Sequence, residues 1–129
     1  MLENKSQKKI QIISKQIHNL NQKEYKSFFR LRTKPAMSWE NNDYKMWFAS
    51  LDGNIVGWCS IDLENIERSV VEVYVMAKHR KKGIAKKMAK RALKYLSDRH
   101  IKPYVYMHTF LSTVFWEKLG LNEEENASW

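Results

Sequence analysis

Hydrophobic and polar positions follow two rhythms along this chain, and the switches between them mark the elements. Ile10, Ile12 and Ile13 form a short apolar run, readable as a first strand or the start of a helix, and we favour the strand. Asn21 is placed to cap a helix, with Glu24 three residues on completing a capping-box-like pair. Tyr25, Phe28, Phe29 and Leu31 then give a helical stripe that ends before Pro35, and residues 35–43 read as a loop. Tyr44 to Leu51 is rich in aromatics, Asp52-Gly53-Asn54 supplies turn chemistry, and Ile55 to Leu63 resumes the apolar pattern, which predicts a β-hairpin. A second turn, near Glu64 to Arg68, leads into Val70 to Val75, a β-branched run suited to a central strand. After a basic loop, a helix is predicted from about Ile84 to Arg99, with Ile84, Met88, Ala92, Tyr95 and Leu96 on its apolar face. Pro103 starts another strand, Tyr104 to His108, and a helix from Ser112 to Leu119 is stopped by Gly120 as a left-handed cap. The order strand, helix, three antiparallel strands, helix, strand, helix predicts a mixed α+β sandwich.

Composition narrows this picture. A chain of 129 residues suits one domain spanning 1–129, and 43% hydrophobic residues can supply a core. A net charge of +9 favours anionic partners (phosphates, coenzymes, nucleic acid or acidic lipid) without choosing among them. The lone Cys59 excludes an internal disulfide framework, and no Cys/His cluster has metal-ligand spacing, so no metal is expected. With no apolar leader and no segment long enough to cross a bilayer, the expectation is a cytoplasmic protein without a membrane partner. The sequon Asn126-Ala127-Ser128 reads as chance in that setting.

The candidate chemistry sits in Arg80-Lys81-Lys82-Gly83-Ile84-Ala85. A diphosphate needs several donors converging on a small volume, and a helix N-terminus offers unpaired N–H groups with the positive end of a dipole. Gly83 permits a sharp turn and a close backbone approach, Ala85 keeps that approach open, and Arg80, Lys81, Lys82, Lys86 and Lys87 add a positive field. A solvated basic turn before a surface helix would use similar residues. The placement between a buried strand and an amphipathic helix favours the pyrophosphate site.

From Val73 to Ala85 the chain resembles the signature of the GCN5-related N-acetyltransferase (GNAT) superfamily. Arg80, Gly83 and Ala85 fill the pattern R/Q-x-x-G-x-G/A between that family's fourth strand and third helix. A second family block follows, a strand and then a helix ending in an aromatic-x-x-x-Gly-apolar pattern, here Trp116 to Leu121. The resemblance implies a GNAT-like α/β/α fold with a mixed, mostly antiparallel sheet flanked by helices. It implies acetyl-coenzyme A as co-substrate and an amine acceptor attacking its carbonyl directly. The amides of Lys81, Lys82, Gly83, Ile84, Ala85 and Lys86 would cradle the pyrophosphate next to Arg80. The strand edge at Val75 and Met76 would pair with the pantetheine arm, and Trp116 would border the coenzyme.

Departures from the family pattern shape the catalytic candidates. Many relatives have a tyrosine where Trp116 stands, and an indole N–H cannot serve as an acid near neutral pH. Tyr106 is the first substitute, ahead of Tyr74 and Tyr104. Thr109 stands where many relatives have Asn, and Leu121 where Phe is common. Glu72, a carboxylate within a central strand, is the best base, with His108 the alternative, whereas His79 suits phosphate contact or packing. Relatives generally continue through two more strands where this chain has Asn122 to Trp129, so the expectation is a shortened C-terminus whose open sheet edge a second copy or an N-terminal segment covers.

The leading reading is therefore an acetyl-coenzyme A-dependent N-acetyltransferase whose acceptor is unidentified. The charge weighs against polyamines and other cationic acceptors. The alternative is a GNAT-fold protein with weak or no turnover, acting as a nucleic-acid-binding or interaction module or as a coenzyme A sensor. For nucleic acid, Lys86 to Lys94, the cluster Arg30, Arg32 and Lys34, and stacking by Trp39, Trp47 and Trp58 would do the work.

Overall fold

The computed structural model describes residues 9–35, 44–64, 68–105 and 110–121. These form β1 (Ile10–Ser14), a short helical turn (Ile17–Asn19), α1 (Gln22–Phe29), β2 (Tyr44–Leu51), β3 (Asn54–Asp62), β4 (Arg68–Val75), a second short turn (Ala77–His79), α2 (Ile84–Asp98), β5 (Lys102–Tyr104) and α3 (Phe110–Lys118). The strands lie in sequence order in one sheet; β1 to β4 pair antiparallel, and β5 joins β4 in parallel. This is the mixed, mostly antiparallel α+β architecture that the patterning predicts.

Alternation along the strands sorts their side chains onto two faces. Tyr44, Met46, Phe48 and Trp58 pack with Phe28 of α1, whereas Trp47, Ala49, Cys59, Ile61, Val71 and Val75 pack with Ile84, Met88, Ala92 and Leu96 of α2 and Trp116 of α3. Burying each large apolar side chain contributes about 1.5–3 kcal/mol. The burial of Trp47 and Trp58, at 5% and 2% exposure, removes both from any base-stacking surface. The sheet needs them as core. Trp39 lies outside the described residues.

Local signals hold α1 in place. The Glu24 N–H donates to Asn21 Oδ1 and the Asn21 N–H to Glu24 Oε1, both at 2.8 Å, completing the capping box. Lys15 Nζ adds an ion pair to Glu24 at 2.9 Å. Burial alone would raise the Glu24 carboxyl, but the Asn21 amide and the Lys15 ammonium hold it below the ordinary carboxylate range. Ser27 Oγ donates to the Glu24 carbonyl at 2.8 Å and accepts the Ile55 N–H at 2.7 Å, tying the helix to the start of β3.

Gly57 has a structural task that periodicity does not announce. The register steps from Ala49↔Gly57 to Ser50↔Ile55, so Val56 is the extra residue of a bulge. The Met76 N–H reaches the Val56 carbonyl at 2.9 Å, extending the β3–β4 ladder. A Cβ on Gly57 would stand 2.7 Å from the Tyr74 carbonyl oxygen, so only glycine lets the end of β4 come this close.

Beside β4, the described pairing matches Arg68, Ser69 and Val70 with Lys102, Pro103 and Tyr104. The described fifth strand therefore starts earlier than Tyr104 and includes Pro103, which an edge strand tolerates because its missing N–H need not serve a neighbour. Residues 106–108 of the expected strand, and the tail from Asn122, lie outside the described residues. α3 ends as expected: Leu121 N–H donates to the Trp116 carbonyl at 3.1 Å and Gly120 N–H to Glu117 at 3.0 Å, with Gly120 at φ 96°.

Two stability predictions follow from these contacts. Gly57→Ala should cost about 1–3 kcal/mol, because strand backbones must separate to admit the methyl group; an unchanged urea midpoint would contradict the close approach. Glu24→Gln should cost about 1 kcal/mol near neutral pH. A depressed folded-state pKa contributes stability above the unfolded value and loses it as pH falls through the folded one, so the gap from the parent protein should narrow toward about pH 3. Urea melts across that range measure it.

Candidate active site

The loop between β4 and α2 is built from turns that leave donors unused. After Ala77–His79, Lys81 takes φ 63° and Gly83, the residue that caps α2, takes φ 80°. Holding Lys81 left-handed costs about 1–2 kcal/mol. No side chain caps α2. Its first internal bond runs from the Lys87 N–H to the Gly83 carbonyl at 3.0 Å, so the amides of Ile84, Ala85 and Lys86 have no acceptor within the helix. A Cβ on Gly83 would meet nothing within 4 Å, which shows open space at the helix entrance. Lys81, Lys82, Lys86 and Lys87 are exposed around it.

This entrance continues into a cleft. A cavity of about 230 Å³ is lined by Val75, His79, Arg80, Lys81, Gly83, Ile84, Ala85, Lys86 and Phe115. A larger one, about 570 Å³, runs along Val71 to Val75 and is closed by Arg80, Ala85, Ser112, Phe115 and Trp116. It lies along β4 beyond the described pairing with β5. Because the Met76 N–H bonds to Val56 across the ladder, strand alternation turns the backbone groups of Val73 and Val75 toward the gap. Arg80 Nε donates to the Val75 carbonyl at 2.7 Å, and its guanidinium carbon lies 5.5 Å from the Tyr74 ring centre.

The structure thus gathers Val75, Arg80, Lys81, Gly83, Ile84, Ala85, Lys86, Glu72 and Trp116 along one continuous cleft. Lys82 is exposed beside it, outside both linings. Met76 stands apart: its N–H is held by Val56, its carbonyl accepts the His79 N–H at 2.9 Å, and its side chain lines a third cavity on the α1 side. The strand edge open for pairing therefore lies at Val73 and Val75. Trp116 is buried in the core with Phe115 edge-on, ring centres 4.8 Å apart, so it forms a wall. Tyr106 and His108 lie outside the described residues. Ser112 and Phe115 were missed because only the turn of α3 toward the gap identifies them.

His79 is shifted below the ordinary imidazole range, first by burial and then by the charges of Lys82 and Lys78. Burial, aided by the Glu72 charge, pushes the Cys59 thiol well above its usual value, making it an inert core group. Among the described residues no group of three His, Cys, Asp or Glu could hold a metal ion, and no helix is long and apolar enough to cross a membrane.

The sequence model of the Acetyltransferase (GNAT) family matches residues 14–121. No curated protein matches the chain in sequence. Among solved structures, an acyl-CoA N-acyltransferase from Pseudomonas aeruginosa superposes with a TM-score of 0.68 at 17% identity, covering 88% of this chain and 89% of that one. Glucosamine-6-phosphate N-acetyltransferase from Arabidopsis thaliana gives 0.66 at 17% identity, with 89% and 92% covered. A predicted acetyltransferase from Clostridium acetobutylicum solved with acetyl-CoA gives 0.64 at 14% identity, with 89% and 91% covered. At such identities these likenesses show the fold. None of them supports the nucleic-acid module or the dimer.

A diphosphate placed at the loop would restore the pKa that His79 has lost, so binding should take up a proton there. Inorganic pyrophosphate should then bind more tightly as pH falls through the imidazole range, and more steeply in the parent protein than in His79→Gln. Calorimetry over about pH 5.5–8 measures the difference; superimposable profiles would place His79 outside the anion's field.

Proposed function

This chain belongs to the Acetyltransferase (GNAT) family, and on that footing we propose that it moves an acetyl group from acetyl-coenzyme A to an amine. The observation that carries the reading is the convergence of two unsatisfied backbone features on one cleft. The uncapped amides at the start of α2 suit a pyrophosphate, and the edge of β4 at Val73 and Val75, which no described strand pairs, suits the amides of a pantetheine arm. The residues fit the group physically: the donors face open space at Gly83, and the surrounding side chains are cationic.

In this reading the amides of residues 81–86 hold the diphosphate, with Lys81, Lys82 and Lys86 supplying counter-charge. Arg80 exchanges its bond to the Val75 carbonyl for the phosphates, freeing that acceptor for the arm. The coenzyme supplies an acetyl thioester. Glu72, on the rim of the larger cavity, takes the proton that the amine loses as its nitrogen bonds to the acetyl carbon. Tyr106 supplies the proton that the departing sulfur takes up as the carbon–sulfur bond breaks, with His108 as a second base. Trp116 and Phe115 exclude water from the thioester. The products are an N-acetyl amide and free coenzyme A. A cytoplasmic location remains part of the proposal.

Titration of acetyl-coenzyme A by calorimetry, followed by thiol release with a mixed panel of amines, tests the reading; no binding at millimolar ligand overturns it. Gly83→Val places a branched side chain into the open entrance and should weaken coenzyme affinity at least about tenfold while the fold persists. Glu72→Gln should lower kcat by about 10²–10⁴ with coenzyme affinity unchanged. A kcat equal to that of the parent protein would exclude Glu72 as the base.

A further inference from the structure

The third cavity, about 490 Å³, opens where the stretch after α1 meets the end of β4, and is lined by Arg30, Leu31, Arg32, Thr33, Tyr74, Met76, Ala77, Lys78 and Arg80. Arg30, Arg32, Lys78 and Arg80 give it four cationic side chains, and no carboxylate is among its described lining residues. The ion pairs Lys15–Glu24 and Lys94–Asp98 lie elsewhere, and none of Arg30, Arg32 and Lys78 has a carboxylate partner among the described residues. Uncompensated like charges around one concavity destabilise the protein by itself and stabilise a complex with an anion.

The cationic rim is held in place by packing. The Leu31 N–H donates to Phe28 at 3.1 Å, the Leu31 side chain is buried, and Trp58 Nε1 donates to the Thr33 carbonyl at 2.8 Å. These contacts pin the backbone on both sides of Arg32. The cavity also joins the coenzyme cleft, since Tyr74 and Arg80 line both. Tyr74 stacks on Trp58 with ring centres 6.3 Å apart, so the shared wall is rigid.

We infer that this cavity is the acceptor site, and that the acceptor is a small primary amine that also carries a phosphate or a carboxylate. The inference rests on the acetyl-transfer reading and names its substrate class. Arg30, Arg32 and Lys78 take the anion, with guanidinium groups suited to two-point contact with either oxyanion. The amine then extends past Tyr74 toward the thioester. The same cations disfavour the ammonium form, so they raise the fraction of free amine able to attack. One arrangement thus anchors one end of the acceptor and activates the other, and it repels polycations. A volume of this size admits a metabolite-sized molecule.

The test uses matched pairs: O-phosphoethanolamine against ethanolamine, and β-alanine against β-alaninamide. Each is titrated into protein saturated with coenzyme A, which occupies the loop, while NMR follows the backbone amides of residues 30–33 and 78. Thiol release from acetyl-coenzyme A is then measured with the same four amines. The anionic member should bind and react at least about tenfold better than its neutral counterpart, and the stronger of the two pairs identifies phosphate or carboxylate. Arg30→Glu with Arg32→Glu should abolish that preference through KM, whereas Lys90→Glu with Lys102→Glu, an equal change in net charge, should keep it. Equal use of neutral and anionic amines, or a preference that survives the Arg30/Arg32 reversal, refutes the acceptor assignment alone. No thiol release with any amine refutes acetyl transfer and the assignment together.

Discussion

The cleft along the outer side of β4 is the constraint around which this molecule is arranged. Parallel pairing spans Arg68–Val70 against Lys102–Tyr104, and beyond Val70 the outer side of β4 borders a cavity. Backbone groups left unpaired in a buried setting are costly unless something reaches them. α3 turns Phe115 and Trp116 into the gap, which keeps the sheet faces apart and the cleft shaped. Arg80 reaches back to the Val75 carbonyl and satisfies one acceptor of that edge. The site is thus a place where the described strands leave the edge of β4 open to a cleft.

The loop extends the same logic to the helix. A buried strand, two left-handed residues and an uncapped helix follow one another without interruption from Val75 to Ile84. Gly57 contributes from the adjacent strand β3, because its missing side chain lets the end of β4 come close just before the loop. Strain at Lys81 and unpaired amides at Ile84 to Lys86 are local costs that the core of α2 covers through Ile84, Met88, Ala92 and Leu96.

What was legible in the sequence was local. The capping box of Asn21 and Glu24, the left-handed stop at Gly120 and the glycine at the start of α2 each announce themselves within a few residues, because their hydrogen bonds close within one turn. Features that depend on residues far apart in the chain were not legible. Gly57 is read as an ordinary strand residue until Tyr74 is beside it, and Trp47 and Trp58 look like surface aromatics until both faces of the sheet are covered. The cationic cavity joins Arg30 and Arg32 to Lys78 and Arg80 across more than forty positions, and no periodicity links them. Of the catalytic candidates, Glu72 is placed on the cleft, while Tyr106 and His108 fall outside the described residues.

The indole at Trp116 weighs less against catalysis than the family pattern suggests. An alkyl thiol has a pKa near ~8.5 and an alkyl ammonium near ~10.4, so at neutral pH the departing sulfur needs an acid less than the amine needs a base. In the proposed reaction the larger requirement falls to Glu72, on one side of the sheet. Alternation puts Glu72 and Tyr74 on the α1 face with Trp58, while Val71 and Val75 turn into the α2 core. The carboxylate is therefore on the same face as the cationic cavity. Trp116, on the opposite face, is free to serve as packing.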